Sequence, residues 1–373
     1  MTSNNFLFLF AFILLAACSS CGEDEMPEPP NGGVGSLDTI PYNPVAHELN
    51  LPDHFPQMFI PPDNPLTVDG VQLGRRLFFD PILSRDGSMA CAGCHFPDRA
   101  FTDGLAVSTG IDGIAGARSS MSLLNVGFFE RGLFWDGRSP DLETQALLPV
   151  EDPIELHTTW PDVERKLREH PDYPTYFRKA FGISNTSEIT KTLAAKAIAQ
   201  YERSLVSFGS KFDQVEQKEA FYTDDEADGF LMFFDVSNGR LKDAECAHCH
   251  NAPLMTNDDF FNNGLTDVGD DLDKFPDKGL GGFTGRVIDY GKFRAPSLRN
   301  IALSAPYMHD GRFETLEEVL DHYSSGGHIA PNLDPNMRPL ELTDVEKRQL
   351  LAFLHALTDT SYYDNPLFQD PFK

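Results

Sequence analysis

One pentapeptide pattern, used twice, constrains this chain more than anything else in it. Cys91-Ala92-Gly93-Cys94-His95 and Cys246-Ala247-His248-Cys249-His250 both read C-x-x-C-H. This is the attachment motif of c-type haem: two thiols bond the vinyl groups, and the adjacent His supplies an axial nitrogen to iron. A redox disulfide or half a zinc site would need only the cysteines. Two copies with His in the same place favour haem. His95 and His250 are the expected proximal ligands, with Cys91, Cys94, Cys246 and Cys249 as the thioether positions. His248, between the second pair of cysteines, is read as a solvent-facing loop residue. The remaining two of the six cysteines are Cys18 and Cys21, so the chain is no disulfide-dense scaffold.

The motifs sit inside an internal repeat. Gly74, Phe78, Phe79, Asp80 and Cys91 recur without a gap, 155 residues on, as Gly229, Phe233, Phe234, Asp235 and Cys246. Thr223 to Glu226 reads as a capping box ahead of the second site. Downstream, Arg118 to Asn125 parallels Arg294 to Asn300, and Trp135-Asp136-Gly137-Arg138 parallels His309-Asp310-Gly311-Arg312. Ile189 to Phe208 has helical apolar spacing, with Gly209 as a stop, and Thr343 to Leu357 reads as the last helix. No alternating run argues for a substantial sheet. The expected fold is mainly α: two cytochrome c-like haem domains from an internal repeat, with long irregular loops. The expected divisions are a signal peptide at 1–17, a flexible tether at 18–45, an N-terminal haem domain at 46–215, a C-terminal haem domain at 216–360, and a tail at 361–373.

Phe6 to Ala17 is an unbroken apolar run of 12 residues, short for a membrane span but long enough for a signal-peptide core. It ends Leu15-Ala16-Ala17-Cys18, like a bacterial lipobox with Cys18 as the lipidated residue. Ordinary cleavage near Ala17 is the competing reading. The expectation is export to the periplasm as a lipoprotein, with the lipid at Cys18 its one membrane contact. Acidic residues outnumber basic ones 57 to 30, a formal charge of -27. Phosphates need a basic surface, so a nucleic-acid partner is excluded. A basic protein or a small neutral molecule suits this surface better.

The repeat also serves as an internal comparison. Fourteen residues after Trp135 stands Pro149, and fourteen after His309 stands Tyr323. If both positions face iron, proline leaves the first iron open, whereas tyrosine can ligate the second through its phenolate. Most tyrosines are packing residues, and His322, His328 and Met308 are rival ligands on nearby chain.

Together these residues resemble the bacterial di-haem cytochrome c peroxidases and their relative, the methylamine-utilisation di-haem enzyme. The resemblance covers most of residues 50 to 360. Its specific pieces are Leu73 to Asp80, the two C-x-x-C-H sites, Ala100 to Gly104, Phe134 to Arg138, and Pro306 to Gly311. It implies a peroxidatic N-terminal haem and an electron-transferring C-terminal haem. It implies Trp135 between them, Pro149 as the distal proline, and Glu155 as the distal general acid–base. Three departures matter. The stretch Ser108 to Arg118 lacks the His that holds many family members closed until reduction, so the first site is expected open from the start. Tyr323 stands where the peroxidases commonly have Met, as in the methylamine-utilisation enzyme. The family's calcium-binding Asn aligns with Ser119, and its carbonyl positions fall on Ser304 and Pro306, a weaker calcium set.

The implied activity is reduction of hydrogen peroxide to water. Electrons come from a small redox protein, a c-type cytochrome or a cupredoxin. The alternatives are oxidation of a protein or organic substrate, as in the methylamine-utilisation enzyme, and a non-enzymatic di-haem electron carrier. A homodimer is a further expectation.

Overall fold

The computed structural model describes residues 35–237 and 239–373. The expected signal peptide and the anchor at Cys18 lie outside the described residues. Among these, no helix is long and apolar enough to cross a membrane. The chain is mainly helical, as the composition and spacing predict. In chain order the α-helices are α1 (Val68–Phe79), α2 (Leu142–Gln145), α3 (Leu148–Glu151), α4 (Trp160–Glu169), α5 (Tyr173–Phe181), α6 (Lys191–Ser204), α7 (Lys211–Glu216), α8 (Asp224–Phe233), α9 (Leu280–Thr284), α10 (Leu316–Ser325) and α11 (Asp344–Ala356). The described sheet is one antiparallel pair, β1 (Phe260–Phe261) and β2 (Phe293–Arg294). Long irregular connections and short 3₁₀ turns carry the rest.

Two helix pairs organise the molecule: α1 packs on α6, and α8 packs on α11. Each pair approaches closely because one helix offers a glycine. A Cβ on Gly74 would stand 1.8 Å from the Ala197 carbonyl oxygen, and one on Gly229 would stand 2.1 Å from that of Gln349. Any side chain at either position would force the helices apart. Thr223, Thr315 and Thr343 close capping boxes at the starts of α8, α10 and α11, satisfying amide donors that a helix start leaves free.

α6 is shorter than the spacing of Ile189 to Phe208 predicts. It ends at Ser204, five residues before Gly209. The stop is made by tertiary pairing: Asn125 donates from its side chain to the Ser207 carbonyl at 3.1 Å and accepts from the Ser207 amide at 3.0 Å. α7, at the expected domain boundary, belongs with the second half. Phe212 packs beside Phe353 in its core, and the buried Asp213 carboxylate takes two hydrogen bonds from Arg299, at 2.9 and 2.7 Å. The C-terminal tail returns to the first half. Tyr362 and Phe368 are buried with Phe101 and Tyr201, and Arg75 Nε donates to the Gln369 carbonyl at 2.8 Å.

Candidate functional site

Each C-x-x-C-H motif opens on a 3₁₀ turn, Cys91–Gly93 and Cys246–His248. The turn puts both sulfurs and the following ring on one side of the chain. None of these four cysteines is paired in a disulfide. His95 bonds the Phe101 carbonyl through Nδ1 at 2.7 Å, and His250 bonds the Pro296 carbonyl through Nδ1 at 3.0 Å. A carbonyl accepts only from N–H, so the proton sits on Nδ1 and the Nε2 lone pair is left for a metal. Two thiols beside such a histidine form the donor set that covalently bound haem requires, and both halves have it. The residues present fit two c-type haems.

Two cavities adjoin these motifs. The first, about 800 Å³, is lined by Cys94, His95, Trp135, Pro149 and Glu155. The second, about 210 Å³, is lined by Cys246, Cys249, His250, Met308 and Tyr323. Sequence positions 60 residues apart are thus brought onto the walls of the first. Pro149 stands in α3, which holds it with no side-chain donor to offer. Glu155 follows on a turn closed by its own amide on the Asp152 carbonyl at 3.1 Å. Burial, and then the neighbouring Asp152 carboxylate, push the Glu155 carboxyl up to about 7, while Arg138 opposes them. A carboxyl with that value exchanges protons near neutrality.

Trp135 lines both cavities and donates from Nε1 to the Ser119 carbonyl at 3.0 Å. Its loop is pinched by the bridge Leu133 to Ser139, with Phe134 left-handed at φ +64°. In the second half the bridge Tyr307 to Phe313 pinches the loop that carries His309, and Met308 is left-handed at φ +74°.

At the second site the rivals separate. Of Tyr323, His322, His328 and Met308, only Tyr323 and Met308 line the cavity. His322 is held elsewhere, with Nε2 on the Asn263 carbonyl at 2.8 Å. The Tyr323 hydroxyl accepts from Asn263 Nδ2 at 3.1 Å. Burial pushes its phenol up to about 12. Asn263, which no sequence pattern singled out, therefore orients the tyrosine. Ser119, Ser304 and Pro306 all line the second cavity. The hydroxyl of Ser119, however, donates to the Met308 carbonyl at 3.0 Å, and that of Ser304 to the Ile301 carbonyl at 3.2 Å. His248 is exposed, as expected of a loop residue, and lies 2.8 Å from Glu245.

Because the thiols and imidazoles are so arranged, the protein should carry two covalent haems. Its denatured mass should exceed that of the polypeptide by two haem groups. A mass showing one or none, from cells competent in cytochrome maturation, contradicts the reading.

Comparison with known proteins agrees with this geometry. The family model for di-haem cytochrome c peroxidase matches residues 68–220. The methylamine utilization protein MauG of Methylorubrum extorquens is 38% identical over 300 residues, covering 80% of each chain. The cytochrome c551 peroxidase of Nitrosomonas europaea is 33% identical over 308 residues, covering 82% of this chain and 84% of the relative. Among solved structures, a MauG-like protein associated with microbial copper homeostasis is 37% identical, with a TM-score of 0.81, covering 88% of this chain and all of that one. The chain belongs to the di-haem cytochrome c peroxidase family.

Proposed function

We propose that this protein reduces hydrogen peroxide to water with electrons from a small redox protein. The observation that carries the reading is Glu155, a carboxyl poised at about 7 in the same cavity as His95. The overall reaction takes one peroxide, two electrons and two protons to two waters. Bound haem supplies the iron that takes up peroxide and the electrons that divide its O–O bond. The chain supplies the rest. His95 Nε2 is the proximal ligand, fixed in direction by the Phe101 carbonyl. Glu155 accepts the proton from one peroxide oxygen and returns it to the other. Pro149, in the wall of the same cavity, would offer a bound haem no ligand of its own. Trp135, in the wall of both cavities, lies on the route between them. Tyr323, held by Asn263, would hold the second haem together with His250, whose cavity it shares.

We also read the two haem units as products of duplication. The support is the matched glycine crossings of α1 with α6 and α8 with α11, the matched Nδ1 anchors, and the matched pinched loops. The packing of Phe212 moves the proposed boundary to just before Ser210. Export and lipidation at Cys18 remain part of the proposal, because haem attachment to bacterial c-type cytochromes occurs outside the cytoplasm. Calcium at Ser119, Ser304 and Pro306 stays part of it as a weak site, since a hydroxyl that donates its proton keeps its lone pairs for a cation. Oxidation of an organic or protein substrate is the second reading, favoured by Tyr323 rather than Met308 at the second site.

The test is steady-state peroxide turnover with reduced c-type cytochrome and cupredoxin donors. A companion measurement separates enzyme from carrier. Pro149 and the His-free stretch Ser108 to Arg118 leave the first site one protein ligand short. Electron paramagnetic resonance of the oxidised protein should therefore show a high-spin signal beside a low-spin one, before any reduction. Two low-spin signals would favour the carrier.

A further inference from the structure

The wall between the cavities holds a second aromatic group that the reading above does not use. His309 lines both cavities, and it is the repeat counterpart of Trp135. The two are joined through one residue: Trp135 Nε1 donates to the Ser119 carbonyl at 3.0 Å, and the Ser119 amide donates to the His309 carbonyl at 2.8 Å. The imidazole lies flat on Phe293, with centroids 3.5 Å apart and planes 10° from parallel. It is 6% exposed, and its Nδ1 is enclosed with no hydrogen-bond partner.

A buried N–H without an acceptor is rarer than a buried lone pair without a donor, and that asymmetry decides where the proton sits. A neutral imidazole has one N–H. On Nδ1 that N–H would meet no acceptor. On Nε2, the edge left to face the cavities, it can be used. Burial keeps the ring neutral by pushing its pKa down to about 4. The nearby carboxylates are already engaged. Asp277 accepts from Arg118 at 2.7 and 2.8 Å, and Asp310 accepts from Arg312 at 2.9 Å. Neither carboxylate takes a hydrogen bond from His309, whose ring lines both cavities, so an acceptor within the cavities is the natural partner. The acceptors haem brings are its propionate carboxylates.

We propose that His309 is a positioning residue for haem, its Nε2–H donating to a haem carboxylate at the wall between the two sites and so raising that haem's reduction potential. The inference rests on the reading that both cavities take haem. A carboxylate deprived of its donor keeps more negative charge near iron and favours the oxidised state.

The experiment uses the full-length holoprotein with two variants. His309→Phe keeps a ring for Phe293 to stack on and removes the donor. His309→Gln removes the ring and returns an N–H near the Nε2 position. Covalent haem is counted by mass, and both potentials are read by spectroelectrochemical titration. His309→Phe should lower the reduction equilibrium constant of one haem about tenfold, on the scale of a lost charge-assisted hydrogen bond, and His309→Gln should restore most of it. Unmoved potentials in His309→Phe, or a loss in His309→Gln but not in His309→Phe, overturn the proposal. Should His309→Phe not accumulate, His309→Asn, whose amide stops short of Nε2, takes its place with the same outcomes. Fewer than two haems in the unsubstituted protein refutes the haem sites; two haems with unmoved potentials refutes only the role of His309.

Discussion

Glu155→Gln should slow the reaction with peroxide by roughly a hundredfold or more, the usual scale for removing a general acid–base, while haem content and resting spectrum stay as they were. Glutamine has nearly the same volume and can accept no proton, so what is lost is the transfer itself. The pH profile gives a second reading of the same carboxyl. Glu155 must be ionised to accept a proton from peroxide, and its value lies near 7. The rate should therefore fall as pH drops through about 7, and that limb should vanish in Glu155→Gln. Repulsion from Asp152 is the second cause of the raised value, so Asp152→Asn should move the limb to lower pH. Stopped-flow spectra after mixing with peroxide measure all three. An unaltered rate in Glu155→Gln would reduce Glu155 to an ordinary carboxylate beside a cavity.

Tyr323→Phe should abolish the wild-type low-spin signal of the second site. The substitution removes one oxygen, and with it the hydrogen bond from Asn263. The new state should be high-spin or water-ligated, unless Met308 moves in. Met308 is the rival that lines the cavity, with its sulfur 3.7 Å from Asn263 Nδ2. A thioether ligand would announce itself by a raised potential, because a phenolate stabilises the oxidised iron more strongly. Peroxide-driven oxidation of a donor should suffer more than peroxide binding, which belongs to the first cavity. A wild-type signal in Tyr323→Phe, together with its loss in His322→Ala, would return the assignment to histidine against the contact of His322 with the Asn263 carbonyl.

Much of this site was legible in the sequence because its parts are covalently close. The C-x-x-C-H spacing is local, and the 3₁₀ turns at Cys91 and Cys246 follow from it. The capping box at Thr223 is equally local and stands as expected. Glu155 was different: nothing near it in sequence marks it, and only the family resemblance selected it. What the sequence hid was tertiary. Asn263 reaches Tyr323 across 60 residues, and Asn125 stops α6 from 82 residues away. Which of His322 and Met308 reaches the cavity was hidden for the same reason. Adjacency to Tyr323 along a helix turns His322 by about 100° to another face, whereas the pinched loop carries Met308 to the cavity.

The returning tail has a consequence for the order in which this molecule can assemble. The contact between Arg75 and Gln369 closes a loop of 294 residues, and Phe368 stacks edge-on against Phe101 with centroids 6.1 Å apart. The core beneath the first C-x-x-C-H motif therefore stays incomplete until Tyr362 and Phe368 have docked. Such long closures are slow in chain-entropy terms. The first motif is thus the earlier of the two to be synthesised and the later to be sealed. Its thiols stay accessible until residues 362–369 have docked, and that segment works as the latch over the first motif.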